Sequence, residues 1–329
     1  MDQQQLKMNI SIEKTEGIVC DKCGGQTFQE SLLIRKASKF LTGTAQDAII
    51  PIPTFSCTQC VGSYALLALL GLALCSSQVS AQSNIQAPAP QCARAVYLTF
   101  DTVHMGVADL IAEVLRRHQV RATFFAAHEP TREGDGSLGE HWAPWWRARA
   151  NEGHALASHT HDHVYWRRDL PDGRFEVRAS AGPLSGKTRT LDAQQYCTEI
   201  KRASDRLRQI TGVAPLPLYR APGGKTSTAL LAAARDCGVL HVGWAQAGFL
   251  GDELPSDRYP NEVLLRRALR DIRPGDILMA HLGIWSRQTP WAPEVLEPLI
   301  VGLKEKGMCF DTLDHHPAYA EWVRQHASR

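Results

Sequence analysis

The chain has 329 residues, 44% of them hydrophobic and 21% charged, with a formal net charge of +2. That is a globular composition. It excludes bulk disorder, and a balance so near neutral gives no electrostatic reason to expect a nucleic-acid partner or an anionic membrane surface. The length allows one large α/β domain with an appendage, or two domains.

Residues 1–62 read as a small zinc-ribbon-like segment. Cys20 and Cys23 form one Cys-x-x-Cys pair, and Cys57 and Cys60 form a second. Four thiolates in two such knuckles suit a tetrahedral structural zinc, and a hairpin can occupy the gap between them. The alternatives are two disulfides or a segment that does not fold.

Residues 63–81 follow as an apolar segment. Tyr64 to Cys75 is unbroken apolar sequence, shorter than the roughly 20 residues a membrane-spanning helix needs. It has the length of a signal-peptide core, and Val79-Ser80-Ala81 supplies a cleavage pattern with Gln82 as first mature residue. The run lies far from the first residue and lacks a basic stretch just upstream. The expected reading is therefore an upstream extension, with Val61 near the functional start. A cytosolic domain with an uncleaved anchor, or a buried apolar helix, are the alternatives. The signal-peptide reading places the protein in the periplasm or outside the cell; the others make it inner-membrane anchored or cytoplasmic. Membrane contact is expected only through this segment. Residues 82–92 read as a linker.

From residue 93 to 329 the pattern becomes one of strands alternating with helices. Strands are predicted at Ala95–Phe100, Arg121–Ala127, His154–Ala157, Pro217–Arg220, Leu240–Trp244, Asp276–His281 and Met308–Thr312. Helices are predicted at Val107–His118, Trp142–Asn151, Asp192–Ile210 with Asp192 as N-cap, Ser227–Cys237, Asn261–Ile272 and Pro293–Lys306. Residues 170–191 read as an inserted loop or hairpin that can border a groove. About seven such repeats imply a parallel sheet closed into a distorted (β/α) barrel. Such barrels collect functional side chains at the C-terminal ends of their strands. Asp101, His159, His163, Arg220 and His281 all fall there.

His159 and His163 stand four residues apart. On a helical turn this spacing puts both imidazoles on one side, close enough to hold one metal ion. His161 and Asp162 between them are expected at the rim.

These pieces resemble the polysaccharide deacetylase family, the NodB homology domain of carbohydrate esterase family 4, over about residues 93–313. Thr99-Phe100-Asp101 is similar to the family's Thr-Phe-Asp-Asp motif, and Ser158 to His163 to its His-Ser/Thr-x-x-His motif. Arg220-Ala-Pro222-Gly-Gly224 fits Arg-x-Pro-x-Gly, and Gly275 to His281 fits an apolar strand ending Leu-x-His. The resemblance implies a metal-dependent hydrolase that removes N-acetyl groups from the amino sugars of a polysaccharide or cell-surface glycan. It implies His159 and His163 as metal ligands, Asp101 as general base, Arg220 as its orienting partner and His281 as general acid. Pro222, Gly224 and Trp244 are expected at the substrate, with Trp285 and Trp291 as further stacking candidates. Zinc is the first choice of ion for an imidazole site, with cobalt, manganese and nickel as alternatives.

Two positions depart from the family. Thr102 stands where a second aspartate, usually a metal ligand, is expected. The third donor is then the Thr102 hydroxyl, a water or His104. Trp244-Ala-Gln-Ala-Gly-Phe249 carries no carboxylate where the family has one beside its catalytic histidine. These departures keep open a carbohydrate-binding protein that has lost the chemistry, and hydrolysis of a small non-sugar amide is a further alternative.

Overall fold

The structure is a computed structural model, and it describes residues 26–37, 48–58 and 93–327. The chain divides into two compact units, Met1–Ile85 and Gln86–Arg329.

In the first unit, β1 (Phe28–Ala37) pairs antiparallel with β2 (Ala48–Cys57), in a register running from Phe28 opposite Cys57 to Ala37 opposite Ala48. This is a hairpin where the spacing of the cysteine pairs left room for one. Cys20, Cys23, Cys60 and the apolar run Tyr64–Cys75 lie outside the described residues. No helix among the described residues is long and apolar enough to cross a membrane.

The second unit is built on β3 (Ala95–Asp101), β4 (Thr123–Ala126), β5 (Ala155–Ser158), β9 (Leu218–Tyr219), β10 (Leu240–His241) and β11 (Ile277–His281). All pair in parallel, in the order β10-β9-β5-β4-β3-β11. A seventh short strand, β12 (Cys309–Phe310), pairs with the start of β3. The chain leaving β10 runs along β11, with Met279 N–H donating to the Gly248 carbonyl at 2.8 Å and Leu250 N–H to the Met279 carbonyl at 3.2 Å. One edge strand thus continues into a segment lying on the other edge, which closes the sheet into a distorted barrel.

Near-continuous apolar strands are what a parallel sheet covered on both faces requires. In β3 the side chains alternate between two cores. Val96, Leu98 and Phe100 pack outward with α1 (Ala108–Arg117), α2 (Ala143–Asn151) and α6 (Leu296–Glu305). Tyr97 faces the other way, toward Phe125, Leu218 and Val242. Period-two alternation puts Thr99 and Asp101 on that same inner face. Phe124 stacks on Phe100 at 5.6 Å and meets Trp145 edge-on at 5.4 Å; truncating it to alanine is expected to cost about 3–5 kcal/mol.

The longest helix, α3 (Ala193–Thr211), starts as predicted. Asp192 accepts from Gln195 N–H while the Gln195 side chain accepts from Asp192 N–H, and Gly212 ends it in a left-handed conformation. A Cys197–Cys237 disulfide ties it to the end of α4 (Thr228–Asp236). The predicted insertion, residues 170–191, supplies β7 (Phe175–Ala179) and β8 (Thr188–Leu191) of a three-stranded antiparallel sheet whose first strand, β6 (Val164–Asp169), precedes it. The remaining helices are α5 (Asn261–Asp271) and α7 (Ala320–His326).

Candidate active site

Asp101 ends β3, and Arg220 follows β9 on the inner face of the same barrel. Arg220 is fully buried, and its Nη1 donates to Asp101 Oδ1 at 2.7 Å and to Thr99 Oγ1 at 2.8 Å. Its guanidinium lies over the Phe125 ring at 4.2 Å and near Trp244 at 5.6 Å. A buried arginine needs such a satisfied setting, and the pair is geometrically good enough to hold one. Burial pushes the Asp101 carboxyl up, but Arg220, then His159 and His281, outweigh it and hold the group below its ordinary range. Asp101 is therefore a carboxylate at neutral pH.

His159 and His163 come together, but not on a helical turn. After β5 the chain passes through a loop in which Thr160 has φ 61° and His163 φ 48°. The left-handed region is rare for non-glycine residues. The loop is held there by Ser158 Oγ, which accepts from Thr160 N–H at 3.1 Å, and by Thr160 Oγ1, which accepts from Val164 N–H at 2.8 Å. The result brings the two Nε2 atoms to 3.2 Å. His159 Nδ1 donates to the Arg220 carbonyl at 2.9 Å, and His163 Nδ1 lies 2.5 Å from Ser180 Oγ. Engaging Nδ1 leaves Nε2 as the open, metal-facing nitrogen. Burial lowers the His163 pKa to about 4, so that ring is neutral. Two donors at roughly 2.1 Å from a zinc ion and near a tetrahedral angle are about this far apart. The pair thus fits a divalent cation.

His281 ends β11 on the opposite wall. Its backbone N–H donates to Asp252 Oδ2 at 2.6 Å, and its Nδ1 lies 3.1 Å from Asp252 Oδ1. Burial alone would lower the His281 pKa; Asp252 first, then Asp101 and Glu253, reverse that and raise it to about 9. The ring is a cation at neutral pH. Asp252 supplies the carboxylate that the stretch from Trp244 to Phe249 lacks. It was missed because it lies three residues further on, carried to the rim by the pairing of Phe249 with Met279.

Asp101, His159, His163 and His281 line one cavity of about 420 Å³, together with Glu129, Tyr165, Ser180, Gly223, Trp244, Glu253 and Trp285. Trp285 is largely exposed, at 59%, while Trp291 is 4% exposed and belongs to the core rather than to a sugar-binding face. Trp244 faces the cavity. Gly224 lies beneath it, since a Cβ there would sit 2.6 Å from the ring, and Pro222 is buried in the same turn. Gly223, at φ 63°, is the residue of that turn that reaches the cavity wall. His104 lines a neighbouring space behind His281, where its Nδ1 accepts from Gly106 N–H at 2.9 Å. The Thr102 hydroxyl is engaged with Glu129 Oε2 at 2.7 Å. Asp162 is tied to His161 and Arg202 at 2.8 and 3.3 Å, which anchors the histidine loop to α3. Ser180 and Glu129 were not singled out from sequence. Ser180 reaches the site because Val164 pairs with Ala179 in the inserted sheet.

The barrel gathers a carboxylate, a protonated imidazole and a pair of imidazole nitrogens at its C-terminal rim, and comparison with known proteins shows what the chain is similar to. Residues 89–242 match the polysaccharide deacetylase family. It is 28% identical over 189 residues to a chitooligosaccharide deacetylase of Azorhizobium caulinodans, covering 57% of this chain and 73% of that one. It is 25% identical over 222 residues to an uncharacterised protein of Geobacillus stearothermophilus, covering 67% and 69%. Among solved structures, a family 4 acetyl xylan esterase from Clostridium thermocellum in complex with a cobalt ion matches with a TM-score of 0.51 at 19% identity, over 71% of this chain and 93% of that one. A mutant of a Bacillus anthracis pseudoenzyme of the same esterase family, with restored activity, matches with a TM-score of 0.50 at 19% identity, over 68% and 67%. At these identities the structures share the fold.

Proposed function

We propose that the protein is a metal-dependent hydrolase that removes N-acetyl groups from the amino sugars of a polysaccharide or surface glycan. The observation that carries this is the pairing of opposite roles in one cavity. Asp101 is held ionised, and His281 is held protonated. His159 and His163 would hold a divalent ion, with zinc first and cobalt, manganese or nickel as alternatives. When bound, that ion supplies Lewis acidity toward a carbonyl and a lowered pKa for water.

Amide hydrolysis then needs a proton taken from the attacking water and one given to the departing nitrogen. Asp101 Oδ1 is occupied by Arg220, and Oδ2, which faces His159 Nε2 at 3.6 Å, takes the first proton. His281 Nε2 gives the second to the amine, while Asp252 keeps Nδ1 engaged. Trp244 and the exposed Trp285 offer faces for a sugar ring. The relative from Azorhizobium, a chitooligosaccharide deacetylase by name, supports an N-acetylated glycan as substrate. The protein should release acetate from N-acetylglucosamine oligomers and stop doing so on Asp101→Ala; activity that survives this change would sink the base assignment.

Thr102, in place of a carboxylate, favours a second reading, a glycan-binding protein without the chemistry. Glycan binding with no retained ion and no acetate release would support it. The Cys197–Cys237 bridge supports an oxidising compartment, periplasmic or extracellular. Thiol counting on protein isolated from each cell fraction tests that placement.

A further inference from the structure

The carboxylate missing at position 102 has a substitute on the neighbouring strand end. Glu129 lies three residues past β4, next to β3 in the sheet, and is only 6% exposed. Its backbone is fixed on both sides by Ser137. Glu129 N–H donates to Ser137 Oγ at 2.9 Å, and Ser137 N–H donates to the Glu129 carbonyl at 2.9 Å. The side chain is aimed as well. Thr102 Oγ1 accepts from Ala127 N–H at 3.0 Å, which leaves its proton directed at Glu129 Oε2, 2.7 Å away. The other oxygen, Oε1, stands 3.6 Å from His163 Nδ1. That is too long for a hydrogen bond, and Nδ1 is already engaged by Ser180.

A buried carboxylate is costly without a cation. Among the described residues no lysine or arginine forms an ion pair with Glu129; its one such neighbour is His163, half of the imidazole pair. The geometry points to Glu129 as the third protein donor to the ion held by His159 and His163, with the Thr102 hydroxyl as the residue that positions it. The acidic donor then comes from the end of β4 rather than the end of β3, and Glu129 already lines the same cavity as the two imidazoles. No three donors among the described residues already converge on one point. Glu129 therefore completes the set by turning Oε1 toward the ion as it binds, with Oε2 still held by the Thr102 hydroxyl. This assignment rests on the metal-binding reading above and deepens it.

The test is ion affinity, read without turnover. The metal-free full chain is titrated with Zn²⁺ against a chromophoric chelator, and the Co²⁺ absorption spectrum is recorded in parallel. Wild type is expected to bind one ion. Glu129→Gln, which keeps the shape and the Thr102 contact, is expected to weaken binding by at least about 10–100-fold and to change the Co²⁺ spectrum, with the thermal midpoint of the metal-free form unchanged. Adding Thr102→Asp to Glu129→Gln returns a carboxylate to the β3 end and is expected to recover most of the affinity. Binding by Glu129→Gln at wild-type affinity with an unchanged spectrum would overturn the assignment. Absence of ion binding by wild type itself would overturn the metal reading beneath it.

Discussion

His163 and His281 sit on facing walls of one cavity, one buried and the other 11% exposed, yet they titrate in opposite directions. For both, burial is the largest single influence and lowers the pKa. At His163 the Nδ1 partner is a hydroxyl, Ser180, and burial prevails, leaving the ring at about 4. At His281 the Nδ1 partner is a carboxylate, Asp252, and with Asp101 and Glu253 it carries the ring to about 9. One ring is thereby fitted to offer a lone pair and the other to offer a proton. The difference lies in what touches the nitrogen facing away from the substrate, not in the degree of enclosure.

Breaking the pair on the His163 side has the largest expected effect. His163→Ala should abolish ion retention and reduce acetate release to background, checked by elemental analysis of the purified protein beside an activity assay. On the other side, His281→Asn should lower kcat/KM by about 10²–10⁴-fold with the ion content of wild type. Loss of ion on this change would show that the two walls do not have separate roles.

Changing the outer partners sharpens the comparison further. Ser180→Ala should weaken ion binding about 10–100-fold, measured by chelator competition, because the His163 ring loses the contact that fixes its tautomer. Asp252→Asn should move the alkaline limb of kcat/KM from about 9 toward the ordinary histidine value of about 6.5.

The smallest effect is on stability, and its sign differs between the two rings. The folded pKa of His281 lies above its unfolded value. Its contribution is therefore complete below about pH 6.5 and is lost as pH rises through about 9. The folded pKa of His163 lies below its unfolded value. Its contribution is complete above about pH 6.5 and is lost as pH falls through about 4. Thermal midpoints against pH should show the alkaline decline flattened in Asp252→Asn and the acid decline retained.

What the sequence revealed follows the same division between local and non-local causes. Asp101, Arg220 and His281 were legible because each ends an apolar strand, and strand ends gather at one rim of a parallel barrel. The Asp192 cap was legible because a capping box is written within four residues. The path of the His159–His163 loop was not. Its left-handed Thr160 and His163 depend on hydroxyl contacts from Ser158 and Thr160, which no spacing rule encodes. Asp252 and Glu129 escaped notice because their places are set by strand register and by Ser137, respectively, rather than by proximity to a motif. The Cys197–Cys237 bridge could not be selected among nine cysteines from spacing alone.

The most direct test of the central claim is acetate release by the full chain from N-acetylglucosamine oligomers, before chelation, after it, and after Zn²⁺ or Co²⁺ is returned. The expected result is release that stops with the chelator and recovers with the ion, and that stays absent in ion-loaded Asp101→Asn. Release at an undiminished rate from metal-free protein, or none from ion-loaded wild type on any N-acetylated glycan tried, would contradict the account.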